Sequence, residues 1–221
     1  MFKLQSLLFL LCCLLASCAS SEEDTPNANP PAQADIQPTM LADDVRFIRQ
    51  NRREGREMGC GTCAASHREK VYELGGKRLI AACEVILGNP ENPGEVADAF
   101  WMLGRAKGDR RRFVRSAVAA LAQVDRHVRW SAAELLGEIG SPEEGPALVA
   151  ALADKSADVS SSAARSLSVI GGPGELVALN AWLRGMGPDK CGTIERSPIF
   201  REDVTKYRDQ MAARLAAKGK R

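Results

Sequence analysis

Two neighbouring stretches of this chain of 221 residues decide its fold. Residues 128–152 read VRWSAAELLGEIGSPEEGPALVAAL, and residues 159–183 read VSSSAARSLSVIGGPGELVALNAWL. When the second stretch is laid on the first at an offset of 31 residues, thirteen of the twenty-five positions are identical without a gap. A fixed period in this range is typical of repeat proteins, in which each unit stacks on its neighbours to bury its apolar face.

Each unit predicts two helices joined by a tight turn. The apolar residues of 128–139 recur every three or four positions, which places them on one face of a helix. Gly140 is expected to end this helix in the left-handed conformation, and Pro142 prevents the helix from continuing. A second apolar pair, Leu148 and Leu152, predicts the second helix of the unit.

A weaker third copy lies upstream. Ala99, Leu103 and Gly104 match the later unit at an offset of 33, whereas residues 118–122 match it at an offset of 31. Two extra residues therefore lie in the turn between the helices of this copy, and that turn is the basic string 107–112, KGDRRR. Three units are about the minimum for a stable stack.

The pattern V-R-x-x-A-A-x-x-L-G-x-I-G, followed by proline and a pair of leucines, resembles the short HEAT-like repeats of the phycobilin-lyase type. The resemblance covers residues 94–185. It implies an all-α fold, a short α-solenoid of HEAT-like helix pairs with flanking helices, which presents its second helices on a concave binding surface. Lyase activity does not follow, because the same repeat serves many scaffolds.

The flanks of the repeats also read as helical. Residues 46–56 predict an amphipathic helix, and residues 77–87 carry an apolar helical pattern. The string SHRE at 66–69 fits a capping box, so a helix is expected to begin at His67. Ser197 and Pro198 start a C-terminal helix that is expected to close the open end of the stack.

The N-terminus reads as a targeting segment. Lys3 precedes an apolar run over residues 4–15, which is too short to span a bilayer because a span needs about 20 apolar residues. The string Leu15-Ala16-Ser17-Cys18 closely resembles the lipobox of bacterial lipoproteins, and this resemblance implies that Cys18 is acylated and becomes the new N-terminus. The alternative is an ordinary secretory peptide that is cleaved near Ala19.

These observations predict five segments along the chain. They are a lipoprotein signal peptide (1–17), a lipidated disordered tether (18–39), an N-terminal helical cap with a cysteine loop (40–93), the HEAT-like repeats (94–185), and a loop with a C-terminal helix (186–221). The expected location is the bacterial cell envelope, outside the cytoplasm. Because no aspartate follows Cys18, the sorting rule of enterobacterial lipoproteins favours the outer membrane over the inner one.

Four cysteines, Cys60, Cys63, Cys83 and Cys191, remain in the predicted folded part. An even number in an exported protein favours disulfides, and four cysteines allow three connectivities. Cys83 lies within an apolar helical pattern, so a buried free thiol is an alternative for it.

Two other chemistries remain open for these cysteines. Cys60, Cys63 and Cys83 form a Cys₃His set with His67 that is compatible with zinc, although the second pair lacks the usual short spacing. The Cys60–Cys63 pair also has the spacing of a thiol-redox motif. Covalent haem is excluded because residue 64 is alanine and not histidine, and no cofactor is expected.

A basic cluster surrounds the turn of the third copy. It comprises Arg105, Lys107, Arg110, Arg111, Arg112 and Arg115, with Asp109 as the nearby acid. Of these, Arg110, Arg111, Arg112 and Arg115 are the candidate anion-binding residues, for lipid headgroups, a cell-wall polymer or an acidic protein face. The alternative is a solvated loop, since charge runs usually lie in water.

The composition narrows the function. A net charge of +2 gives no ground for nucleic-acid binding. His127 reads as a polar surface residue, and the chain carries no catalytic motif, so no enzyme is expected. We therefore predict a membrane-tethered extracytoplasmic binding scaffold for a protein or an anionic envelope component. The alternative is an extracytoplasmic metal-binding or thiol-redox protein that uses Cys60 and Cys63.

Overall fold

The computed structural model describes residues 36–57, 70–185 and 198–219, which are largely helical and contain no strand. Residues 70–72 are helical, and the longer helices, in chain order, are α1 (Pro38–Glu57), α2 (Gly76–Gly88), α3 (Pro93–Arg105), α4 (Val114–Ala120), α5 (Arg126–Ile139), α6 (Gly145–Ala151), α7 (Ala157–Ile170), α8 (Pro173–Gly185) and α9 (Pro198–Lys218). Short 3-10 turns at Arg111–Phe113 and Pro142–Glu144 lead into α4 and α6.

Three successive helix pairs form the body of the fold. The pairs are α3 with α4, α5 with α6, and α7 with α8. The first helices of the pairs lie side by side in one row, and α9 continues this row against α7. At the other end, α2 packs on α3 and α1 packs on α2. This side-by-side order confirms the predicted all-α solenoid of helix pairs with flanking helices.

Small side chains let the helices of the row approach closely. The alanines at the centre of α5 and α7 are completely buried: Ala132, Ala133, Ala163 and Ala164. Between the two helices, the hydroxyl of Ser166 donates a hydrogen bond of 2.7 Å to the carbonyl oxygen of Ala133. Gly137 faces the same serine so closely that an added Cβ would overlap its side chain. Alanine, serine and glycine therefore set the short spacing of the row.

The glycines that end α5 and α7 correct one expectation. Gly140 has φ −74° and Gly171 has φ −62°, so neither adopts the left-handed conformation. Glycine is needed there for lack of space, because a Cβ at Gly140 would overlap the carbonyl oxygen of Leu136 and lie 3.1 Å from the Cδ1 atom of Ile170. The predicted end of the helix is right, but close packing is the reason for it and not a positive φ.

The helices of the row run parallel, which gives the stack two distinct edges. The hydroxyl of Ser162 on α7 donates to the carbonyl oxygen of Trp130 on α5 at 3.5 Å, and Ser166, one turn further along α7, donates to that of Ala133, about one turn further along α5, so the two helices run in the same direction. The turns inside the units, at 106–110, 140–141 and 171–172, therefore lie along one edge, which we call the turn edge. The loops between units, at 121–125 and 152–156, lie along the opposite edge, the loop edge.

The flanking segments that were predicted to be helical are helical in the structure, although the first helix begins earlier than expected, at Pro38. The amphipathic segment 46–56 lies within α1, and the apolar segment 77–87 lies within α2. The C-terminal helix α9 begins at Pro198, as predicted. Val204 and Met211 of α9 are completely buried, which supports the expectation that this helix closes the stack. The capping box at 66–69 lies outside the described residues.

Candidate interaction surfaces

Cys83 is a structural residue of α2. Its side chain is completely buried and its thiol is free. Burial raises the pKa of the Cys83 thiol far above its usual range, because the thiolate would lose its hydration. A thiol in this state is neither a nucleophile nor a ready metal ligand. Among the options that the sequence left open for Cys83, the structure favours the buried free thiol.

The other cysteine positions lie outside the described residues. This applies to the predicted anchor Cys18 and to Cys60, Cys63 and Cys191, as well as to His67. Within the described ranges, no group of three or more histidine, cysteine or acidic side chains is arranged to hold a metal ion. No helix of those ranges is long and apolar enough to cross a bilayer.

The basic string divides into side chains with structural roles and side chains that face solvent. Arg110 belongs to the first group, because its Nη1 atom donates 2.8 Å hydrogen bonds to the carbonyl oxygens of both Leu103 and Gly104. These carbonyls end α3 and have no partner within the helix, so Arg110 closes the helix and interacts favourably with its dipole. The guanidinium of Arg110 is thus committed to the fold.

Arg112 is also engaged. Its Nη2 atom lies 2.8 Å from the carboxylate of Glu84 on α2, and its guanidinium lies 5.0 Å from the centre of the Phe113 ring. Arg111 and Arg115 are exposed, and within the described ranges neither guanidinium has an ion-pair or hydrogen-bond partner, whereas the backbone N–H of Arg111 donates to the carboxylate of Asp109. Of the four candidate anion-binding arginines, the structure therefore leaves Arg111 and Arg115 with side chains directed to solvent.

A face with two tryptophans runs along the outer side of the helix row. Trp101 of α3 is half-buried, and the guanidinium of Arg105 stacks on its ring at 4.0 Å from the centre. Both residues line a cleft of about 200 Å³ together with Glu134, Glu138 and other residues of α5 and α7. Cation–π stacking holds the exposed arginine in place, so a partner would meet a preorganised pair.

Trp130 of α5 is the second half-buried tryptophan on this side. It lines a cleft of about 270 Å³ near the loop edge, together with Arg126, His127 and Asp158. His127 is exposed in the first turn of α5, as expected for a polar surface residue. We call the outer side of α3, α5 and α7, with Trp101 and Trp130, the tryptophan face. Sequence reasoning missed it, because an isolated tryptophan does not reveal whether its edge is exposed.

A buried ion pair holds neighbouring units together. The guanidinium of Arg129 binds the carboxylate of Asp154 twice, at 2.7 and 2.9 Å, and Nη1 donates to the carbonyl oxygens of Gln123 and Val124. Burial alone would raise the pKa of Asp154, but the bonds from Arg129 and from the backbone N–H of Ser156 outweigh it and lower this pKa. The pair is structural, and the only sequence signal for it was an arginine inside an apolar helical pattern.

Comparison with known families agrees with this architecture. Residues 84–168 and 114–185 match the family model of HEAT repeats. The two overlapping spans cover residues 84–185, slightly less than half of the chain, and they confirm the repeats that the sequence pattern indicated. HEAT repeats are helical scaffolds that commonly mediate protein–protein interaction. No curated protein matches the chain.

Proposed function

We propose that this chain is a lipid-anchored, non-enzymatic scaffold of the bacterial cell envelope, displayed outside the cytoplasm, which binds a protein partner through the tryptophan face. The observation that supports the binding role is that two half-buried tryptophans, Trp101 and Trp130, line clefts on the outer side of a stack of HEAT repeats. Tryptophan and arginine are enriched at the centres of protein interfaces, and a few such side chains commonly supply most of the binding energy. The string Leu15-Ala16-Ser17-Cys18 supports the anchor, and Ala19 in place of aspartate favours the outer membrane.

Site-directed photo-crosslinking in intact cells tests the binding role. A photo-reactive amino acid at Glu138, which is exposed on the tryptophan face, is expected to capture a defined partner. The comparison position is Val177, which is 67% exposed on α8, one of the second helices that the resemblance implies as the binding surface. Equal capture from both positions, or capture from position 177 alone, would contradict the assignment of this face.

Alanine substitution tests the energetic part of the proposal. Trp101→Ala and Trp130→Ala are each expected to weaken the purified complex about 30-fold, as hot-spot residues do. Val177→Ala serves as the control, and circular dichroism verifies that each variant keeps its helices. Full affinity in both tryptophan variants would show that the partner binds elsewhere.

Metabolic labelling with radioactive palmitate tests the anchor separately. Cys18→Ala is expected to abolish both the label and the shift in mass that follows cleavage of the leader. Cys12→Ala changes a cysteine within the leader itself and is expected to leave both unchanged. A processed protein without label would show an ordinary secretory leader.

A further inference from the structure

Exposed positive charges collect at one end of the turn edge. The side chains concerned are Lys77, Lys107, Arg111 and Arg115, all of them exposed. Lys77 belongs to this group because α2 begins against the basic turn: a Cβ on Gly76 would overlap the carbonyl oxygen of Lys107. We call these four residues the basic edge. The acids beside it are Asp109, which bonds to backbone, and Glu84, which is paired with Arg112.

The turns of the other two units carry no basic residue of their own, and the guanidinium that reaches the third turn, that of Arg214, is bonded to the carbonyl oxygens of Ser168 and Gly171. In the second unit the corresponding turn carries Glu143 and Glu144, and Glu144 is used in a capping box with Ser141. In the third unit the turn is a pair of glycines followed by Glu175, whose carboxylate accepts a 2.8 Å bond from the backbone N–H of Gly172. A single end of the turn edge is therefore suited to an anionic surface.

The domain is entered by the chain at the same end. Arg78, in the first turn of α2, donates a 2.9 Å hydrogen bond from its Nε atom to the carboxylate of Asp44 on α1. Asp44 lies six residues after Pro38, the first residue of α1, so the start of α1 lies within about 9 Å of this bond along the helix axis. The N-terminal turn of α2 thus contacts both the basic turn and the beginning of the domain.

We infer that the basic edge docks on the anionic headgroups of the membrane that holds the anchor. This inference rests on the proposed lipid anchor, which keeps the domain within reach of that surface. A predicted tether of about 20 residues has a root-mean-square length of about 25 Å, so the anchor supplies a high effective concentration of headgroups. An acyl group and a basic patch are two signals that together give stable attachment. With the turn edge on the membrane, the tryptophan face, which runs along the sides of the helices, would remain accessible to a partner.

Vesicle co-sedimentation of the non-acylated chain tests this docking. The suitable protein is the chain from Ala19 to Arg221, because Asp35–Arg221 forms a compact unit of its own. It is mixed with vesicles of phosphatidylcholine alone or of an equal mixture with phosphatidylglycerol. We expect binding to the anionic vesicles only, and we expect this binding to weaken as salt screens the charges.

Two triple variants with the same change in net charge locate the surface. Lys107→Ala/Arg111→Ala/Arg115→Ala is expected to lose about 100-fold in binding, roughly fivefold for each side chain near the headgroups. The control, Arg126→Ala/Lys155→Ala/Arg184→Ala, removes three exposed charges outside the basic edge and is expected to lose less than about threefold. Arg110 is kept in both because it closes α3, and unchanged thermal unfolding verifies the fold.

Several outcomes would overturn the docking. They are equal losses in the two triple variants, undiminished binding by the first, equal binding to neutral vesicles, or tighter binding to an acidic protein such as polyglutamate than to anionic vesicles. Because the assay uses no acyl group, its failure alongside palmitate labelling of Cys18 would remove the docking and leave the anchor standing.

Discussion

The buried pair between Arg129 and Asp154 offers the sharpest test of how the stack is held together, through the change Arg129→Ala. Only 5% of Arg129 is exposed, and its guanidinium contacts both loops of the loop edge, 121–125 after α4 and 152–156 after α6. Alanine removes four hydrogen bonds and leaves the carboxylate of Asp154 without its cation at the loop edge. The variant is therefore expected to weaken the packing between neighbouring units, in addition to the local structure around Arg129.

The expected magnitude follows from the burial of both partners. Removing one partner of a buried ion pair costs about 3–5 kcal/mol, because the remaining charge is left uncompensated. This loss is a large part of the free energy of unfolding of an ordinary domain, which is about 5–15 kcal/mol. Arg165→Ala is the matched control: it breaks the pair with Glu134, in which the arginine side chain is 55% exposed, and is expected to cost less than about 1 kcal/mol.

The pH dependence of the loss separates an ion pair from simple packing. The pKa of Asp154 is lowered in the folded protein, so its contribution is complete above the unfolded value of about 3.9 and is lost as the pH falls through the lower folded value. In Arg129→Ala, the carboxylate of Asp154 is still partly buried but has lost the hydrogen bonds from Arg129 that stabilise its charge. Its pKa is therefore expected to rise. The difference in stability between the wild type and Arg129→Ala should therefore shrink between about pH 5 and pH 3.

Urea unfolding followed by circular dichroism measures both quantities. The free energies of unfolding of the wild type, Arg129→Ala and Arg165→Ala are compared at neutral pH and near pH 3, at constant ionic strength. A loss below about 1 kcal/mol for Arg129→Ala at neutral pH, or a loss that stays constant with pH, would refute the role given to this pair.

Three further predictions follow from the same structure. Gly171→Ala is expected to cost about 1–3 kcal/mol in urea unfolding, because a Cβ there would overlap the carbonyl oxygen of Leu167 and the terminal methyl group of the buried Met211 on α9. Gly174→Ala, which faces open space, should cost nothing, and equal effects would refute the close approach. Arg110→Ala is expected to cost about 1–2 kcal/mol in the same assay, through the open carbonyls at the end of α3, and Arg111→Ala less than about 0.5 kcal/mol. Cys83 should react with a maleimide only after unfolding, as judged by mass spectrometry of its peptide, and rapid labelling of the native protein would argue against its burial.

The repeat could be predicted from the sequence because the chain contains two closely similar copies of it, at 128–152 and 159–183. Identity at thirteen positions fixed the period, and the apolar spacing fixed two helices in each unit. The reason for Gly140 could not be derived in the same way. A glycine after a helix serves equally well for a positive φ or for a close approach, and only the neighbouring helix, with Ile170, shows that space is the cause.

The basic string 107–112 shows that the sequence alone does not reveal which charged side chains face solvent. In the sequence, Arg110, Arg111 and Arg112 are equivalent neighbours. In the fold, the first closes α3, the third pairs with α2, and only the middle side chain faces solvent without a partner among the described residues. The path of the turn decides which guanidinium reaches a carbonyl, and that path depends on contacts with α2, which is distant in sequence.

The longer turn of the first unit explains how the stack accommodates this charge. Five residues, 106–110, separate α3 from the following 3-10 turn, whereas two residues do so in the second unit. Because each unit of a solenoid packs only on its neighbours, extra residues at an edge leave the helix row undisturbed. The insertion lies at the first unit, where α2 supports it and no further unit must pack on that side. A turn of the same length between α5 and α6 would have neighbouring turns on both sides, at 106–110 and at 171–172. The free charges are thus placed at the one end of the turn edge where the fold leaves room for them.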